Sequence, residues 1–144
     1  MEPRQVVLEF LAAAARRDKE ATKGFLAPDV SWNDNGSPEM IGGGTFRNAN
    51  EVIDYIWGNI RDTRDLVITA QWVVSEGDKV VVLINERATV TSTERYYKIS
   101  SIHVYTVKDG RIVHFTNYFD SMPLLRATYD VEFKKPRARE DDRP

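Results

Sequence analysis

Three polar residues sit where a half-buried strand can hold them among apolar neighbours. In Asp29-Val30-Ser31-Trp32-Asn33-Asp34 the residues Trp32 and Asp34 are two apart, so in an extended strand they share a face. A carboxylate at the edge of an apolar pocket can take a proton from the carbon next to a carbonyl, once burial brings its pKa nearer the working pH. The next residues, Asn35-Gly36-Ser37-Pro38, are all turn formers, so Asp34 can equally fold back onto its own backbone. His103 alternates with Ser101, Tyr105 and Val107 on one face of a second strand. An imidazole there can donate a hydrogen bond to a developing enolate, or act as acid or base. It can also be satisfied locally by Tyr105 or Thr116. Asn117, in His114-Phe115-Thr116-Asn117-Tyr118-Phe119, carries an amide that takes up no proton at neutral pH, so it can orient a substrate but cannot be a base.

The composition removes other chemistries. There is no cysteine, which excludes disulfides, thiolate metal sites and cysteine nucleophiles, and fits a reducing cytoplasm. Two histidines and poorly spaced acids make no zinc site, so no metal is expected. A net charge of −2 gives no reason to expect nucleic acid or an anionic membrane as partner. No apolar run approaches the ~20 residues of a spanning helix, and the N-terminus does not read as a secretory signal. A cytoplasmic protein is the expectation.

The elements that must position these residues follow from periodicity. Val6, Val7, Phe10, Leu11 and Ala14 have the spacing of a helix with one buried face, with Pro3 in its first turn. Asp18 is placed to cap a short second helix with Ala21, Thr22, Phe25 and Leu26 inward, stopped by Pro28. After the triplet Gly42-Gly43-Gly44, Asn48 and Glu51 form a capping-box start to a helix bearing Val52, Ile53, Ile56, Trp57 and Ile60. From Leu66 the period changes to that of strands, over residues 67–74, 79–91, 96–107 and 112–119, with turns at Glu76-Gly77-Asp78 and Asp109-Gly110. Asp120 reads as the cap of a helix at Ser121-Met122-Pro123-Leu124-Leu125. The plan is α+β: a cone-shaped, curved antiparallel sheet with the N-terminal helices on its concave face. One domain over residues 1–133 is expected, with a charged, disordered tail over 134–144.

Several stretches carry a resemblance: FLAPDVSW closing a helix pair, NANEVIDYIW, GDKVVV, and HVYTVKDGRIVHFTNYFD. Together they cover residues 5 to 125 and resemble the nuclear-transport-factor-2-like (cystatin-like) superfamily, in its SnoaL-like polyketide cyclase and ketosteroid isomerase branch. DNGSP and LLRAT carry a weaker likeness to the phenazine biosynthesis A/B proteins. The resemblance implies a pocket between sheet and helices, and a homodimer through the convex sheet face. It places Asp34 where the isomerases keep their general base, and His103 where they hold the acid of the oxyanion hole. Phe10 stands where they carry a Tyr of that hole, so the hole is incomplete. Asn117 stands where the cyclases carry an Asp, which moves weight from a cyclase mechanism to Asp34 and His103.

The side that Asn117 takes depends on the turn at Asp109-Gly110. A two-residue type I′ turn pairs 107 with 112 and 103 with 116, turning Thr116 and Tyr118 inward. A bulged turn at Gly110 pairs 103 with 115 and puts Phe115, Asn117 and Phe119 inside. The family pattern favours the bulge. Asn85-Glu86-Arg87 interrupts an apolar strand, so either one of Asn85 and Arg87, or Glu86 opposite them, points inward, or the charges lie on the exposed convex face or in a dimer contact, the reading preferred because charged side chains are seldom buried unpaired. The resulting expectation is a cofactor-independent enzyme of specialised metabolism that isomerises, cyclises or condenses an apolar, carbonyl-bearing molecule. Asp34 and His103 are catalytic; Asn117, Trp32, Tyr105, Phe115, Phe119, Phe10 and Trp57 contact substrate. The alternatives are a non-catalytic binding or assembly protein, and an epoxide hydrolase, for which Arg87 is the only arginine placed to turn inward.

Overall fold

A computed structural model describes residues 1–35 and 43–129. The turn residues Gly36, Ser37 and Pro38, the first glycine of the triplet, and the charged stretch 134–144 lie outside them. The elements are α1 (Pro3–Ala15), α2 (Lys19–Gly24), β1 (Leu26–Asp34), β2 (Gly44–Phe46), α3 (Ala49–Arg61), β3 (Thr63–Glu76), β4 (Lys79–Val90), β5 (Arg95–Lys108), β6 (Arg111–Phe119) and α4 (Met122–Thr128).

Local chemistry sets the helix ends. Pro3 opens α1, which buries Val6, Val7, Phe10 and Ala13. Asp18 accepts a hydrogen bond from the Ala21 N–H at 3.1 Å and caps α2. Asn48 does the same for α3 through the Glu51 N–H at 2.9 Å. Glu51 reaches back to the N–H of Arg47, one residue short of the reciprocal capping-box partner. Asp120 accepts from the Met122 N–H at 3.0 Å at the start of α4. Pro28 lies inside β1 rather than stopping a helix. Pairing of β1 with β6 is interrupted between Leu26 and Ser31, so the missing N–H of Pro28 removes no ladder bond.

The six strands form one curved, unclosed sheet in the order β2-β1-β6-β5-β4-β3. All neighbours are antiparallel except β1 and β6, which run parallel, a departure from the wholly antiparallel sheet expected. That parallel contact brings two chain segments 83 residues apart side by side, with Asp34 opposite Asn117.

The β5–β6 hairpin resolves the question of Asn117 in a way neither alternative foresaw. Asp109 and Gly110 both have positive φ, 51° and 74°, the signature of a type I′ turn, and Val107 pairs with Ile112. An extra residue then enters β6 between Ile112 and His114. From there on Tyr105 faces Phe115 and His103 faces Asn117. The irregularity is inside the strand, not in the turn, and it turns Phe115, Asn117 and Phe119 toward the helices.

Burial falls into two groups. The larger joins α1 and α3 to the sheet through Val6, Phe10, Val52, Trp32, Ile84 and Phe115. The smaller joins α4 to β4 and β5 through Ala88, Val90, Tyr97, Ile99, Leu124 and Ala127. Glu86 lies on β4 between Ile84 of the first group and Ala88 of the second, and a cavity opens there.

Candidate functional site

The cavity has a volume of about 370 Å³ and runs between the concave sheet face, α1, α3 and α4. Its walls are mostly apolar, and its polar side chains are few enough to treat one at a time.

Asp34, at the end of β1, points into this cavity. It is 8% exposed. One carboxylate oxygen accepts a hydrogen bond from the Tyr55 hydroxyl on α3. The other accepts from Asn117 Nδ2 at 2.8 Å across the parallel β1–β6 contact. Burial pushes its pKa up to about 6, against the opposing pull of the Tyr55 and Asn117 hydrogen bonds. The Trp32 indole N–H lowers it slightly, yet stops short of hydrogen-bond geometry and has no partner among the described residues. Tyr55 is itself positioned by Phe46, whose ring stacks on it at 4.2 Å. Phe46 in turn needs Gly44: φ there is +123°, and a Cβ would lie 3.0 Å from the Phe46 ring. The Gly-rich link therefore holds the hydroxyl that holds the carboxylate.

His103 also lines the cavity. Its Nδ1 lies 3.0 Å from the Tyr105 hydroxyl, and its ring meets Phe115 edge-on at 5.0 Å. Burial pushes its pKa down to about 3, so the ring is neutral at ordinary pH. Either Tyr105 donates to Nδ1 and the ring proton is on Nε2, or Nδ1–H donates to the Tyr105 oxygen. Asp34 does not bond His103 directly; Asn117 stands between them in the sheet register. Asn117 commits its amide N–H to Asp34, and its Oδ1 is buried with no partner among the described residues.

Phe10, Trp32, Tyr105 and Phe115 form the aromatic wall, with Trp32 stacked on Phe115 at 3.8 Å. Phe119 lines the cavity farther along. Trp57 does not. It is on the other side of α3, partly buried against the core, with the Lys19 ammonium 6.0 Å from its ring.

Tyr55, Glu86 and Tyr97 also line the cavity, although the sequence assigned none of them a role at the site. Glu86 was expected on the convex face, but it points inward while Arg87 on the opposite parity is exposed. Tyr97 donates a hydrogen bond to Glu86 at 2.8 Å. Burial first, and to a smaller extent the charge of Asp34, raise the Glu86 pKa to about 7 against the opposing Tyr97 bond. The signal was in the strand: Val80, Val82, Ile84, Ala88 and Val90 set a period of two that includes position 86. Among the described residues no basic side chain pairs with Asp34 or Glu86, and no group of His, Asp and Glu could hold a metal. No helix among them is long and apolar enough to cross a membrane.

Comparison with known proteins fits this geometry. A search of curated protein sequences finds no match. Among solved structures, an NTF2-like protein of unknown function from Burkholderia pseudomallei is 29% identical, with a TM-score of 0.78 over 89% of this chain and 98% of that one. An NTF2-like protein from Burkholderia thailandensis is 25% identical, with a TM-score of 0.79 over 88% and 98%. TerC, crystallised with polyporic acid, shares the fold at 19% identity, with a TM-score of 0.74 over 88% and 98%. The sequence pattern of the SnoaL-like domain matches residues 7–115. The chain belongs to the SnoaL-like domain family, within the NTF2-like superfamily.

Proposed function

We propose that the protein is an enzyme that moves a proton on an apolar, carbonyl-bearing small molecule, in an isomerisation, cyclisation or condensation. The observation that carries this reading is Asp34: a carboxyl group inside an aromatic cavity, fixed by two hydrogen bonds, with a pKa of about 6. Near neutral pH it is ionised and still basic enough to accept a proton from carbon. Tyr55 and Asn117 fix the angle of the carboxylate, which makes them positioning residues. Neutral His103, in the tautomer that accepts from Tyr105 at Nδ1, offers its Nε2–H to the oxygen on which charge develops. Its low pKa removes the imidazolium and leaves the weaker but constantly available donor. TerC, which shares the fold, was crystallised with an organic acid, and that is consistent with a cavity for carbonyl-bearing ligands.

The test is turnover of a β,γ-unsaturated ketone, cyclohex-3-enone, followed by the ultraviolet absorbance of the conjugated product. Asp34→Asn should lower kcat/KM by about 10²–10⁴-fold, the usual contribution of a general base. Equal turnover by wild type and variant, or none by wild type, sinks the reading.

The assembly reading is a homodimer through the convex face. Trp72, Leu83, Ile102 and Tyr118 form a continuous row across β3, β4, β5 and β6 on that face. Trp72 and Tyr118 are about half exposed, at 46% and 54%. A contiguous apolar row of this kind fits a second copy of the chain.

A further inference from the structure

Glu86 has no part in the reaction described above, yet it lines the same cavity from β4, where Val80, Val82, Ile84, Ala88 and Val90 make the rest of the inward face apolar. The two acids of the cavity are partnered differently. Asp34 has a donor on each oxygen, Tyr55 on Oδ2 and Asn117 on Oδ1. Glu86 has one: Tyr97 donates to Oε2 at 2.8 Å, and among the described residues nothing donates to Oε1. A carboxylate oxygen withdrawn from water is costly until something supplies a donor or a cation.

The surroundings of Oε1 narrow what that partner is. In the sheet register Glu86 lies between Ile68 and Ile99, with Ile84 and Ala88 on its own strand face, and Leu124 of α4 lines the cavity with them. The titratable groups that act on it are Tyr97 from β5, Asp34 from β1 and Tyr55 from α3, and none of them is a cation. Arg17 is the one Lys or Arg among the described lining residues, and it stands exposed, bonded to the Ala14 carbonyl. A metal ion would need several oxygens, and no group of His, Asp and Glu gathers among the described residues. A primary ammonium would leave N–H bonds against an aliphatic wall. A quaternary one has no N–H for Oε1, and Tyr97 alone makes no aromatic cage for it. A protonated tertiary amine has a single N–H and apolar substituents, which matches one open oxygen among isoleucines.

We propose that the cavity binds an otherwise apolar ligand carrying a protonated tertiary amine, whose N–H donates to Glu86 Oε1 while its apolar body lies toward Phe10, Trp32 and Phe115. Val82, the β4 partner of His103, is four residues from Glu86, so the amine is held about 13 Å along the strand from the row of Asp34, Asn117 and His103. Glu86 thus selects ligands by a charge remote from the atoms that Asp34 reaches. The inference concerns binding and does not rest on the reading of Asp34 as a base.

The experiment is isothermal titration calorimetry of the full chain at pH 6 with three probes built on one skeleton: N,N-dimethyl-4-phenylbutylamine, its N,N,N-trimethylammonium analogue, and 4-phenylbutan-1-ol. Wild type should bind the tertiary amine about 10–100-fold more tightly than either other probe, the usual worth of a hydrogen bond to a charged group. Glu86→Gln, which keeps the shape and an oxygen for Tyr97, should remove that advantage and leave the affinity for the alcohol as it was. Burial holds free Glu86 at about 7, so at pH 6 it is mostly protonated. Seating the cation should then release about one proton to the buffer, read from the dependence of the heat on buffer ionisation. The alcohol, and the amine with Glu86→Gln, should release none.

Equal affinity for the tertiary amine and the alcohol, equal affinity for the two amines, or an unchanged amine affinity in Glu86→Gln overturns the proposal. A loss in Asp34→Asn as large as that in Glu86→Gln puts the amine at Asp34 and overturns it too. Cyclohex-3-enone carries no charge, so its turnover tests the base independently of this outcome.

Discussion

Removing the charge of Glu86 should stabilise the protein, and by an amount that depends on pH in a fixed way. In the unfolded chain this carboxyl ionises at its ordinary value of 4.5; in the folded protein it does so at about 7. Below pH 4.5 it is neutral in both states and costs nothing. Between 4.5 and about 7 the unfolded chain is ionised and the folded one is not, so folding takes up a proton. Each pH unit in that window then costs about 1.4 kcal/mol of stability. Above about 7 both states are ionised and the penalty stops growing, at about 3 kcal/mol. Gln keeps an oxygen for the Tyr97 hydroxyl and never ionises. Glu86→Gln should therefore match wild type near pH 4.5 and exceed it by up to about 3 kcal/mol at pH 8, on the order of 10 °C in Tm for a chain of this size. The assay is thermal or urea unfolding at several pH values, read as the difference between variant and wild type. A difference that is constant with pH, or that shrinks as pH rises, refutes the buried acid.

Three further outcomes are expected. His103, held neutral with a pKa of about 3, should show ring proton resonances that do not move between pH 5 and 8; titration near 6.5 would mean the ring is in contact with bulk water. Its effect on stability runs opposite to that of Glu86. Between about 3 and 6.5 the unfolded chain binds the extra proton, so this contribution grows as pH rises. Gly44→Ala should push Phe46 off Tyr55, cost about 1–3 kcal/mol and lower kcat more than it raises KM; unchanged kinetics would show that Tyr55 is fixed by something else. The proposed dimer through the convex face predicts that wild type sediments as a dimer and that Ile102→Glu, in the middle of the convex row, sediments as a monomer without loss of the folded circular dichroism signal; a monomeric wild type, or an identical sedimentation coefficient for the variant, refutes that interface.

Most of the elements were legible because they rest on local chemistry. Asp18, Asn48 and Asp120 cap where their side chains can reach an N–H two or three residues on, and that depends on nothing distant. The inward turn of Asp34 was legible as one of two outcomes, since Trp32 and Asp34 had to share a face in any strand. The parallel β1–β6 contact was not, because pairing between distant segments leaves no mark in either one. The strand β2 is three residues long, too short for a period. Tyr55 was given no role for a different reason: on a helix with Val52, Ile53 and Ile56 beside it, an aromatic ring fits core and pocket lining equally, and only the position of its hydroxyl separates the two. Glu86 was misplaced because charge outweighed parity in the reading, whereas the cavity gives a protonated acid somewhere to sit.

The extra residue in β6 has a consequence for how this protein is compared with others. Each side of that strand carries a usable set of groups: Phe115, Asn117 and Phe119 on one, Thr116 and Tyr118 on the other. Which set meets the ligand is decided by one residue near Val113, upstream of all of them. A relative that lacks it can keep every letter from 114 to 119 and still show its ligand a hydroxyl and a phenol instead of an amide and two phenyl rings. Within this fold, a single insertion or deletion in one hairpin can thus change the chemistry of a site without any substitution in it. An alignment that closes the gap for tidiness erases the difference that matters.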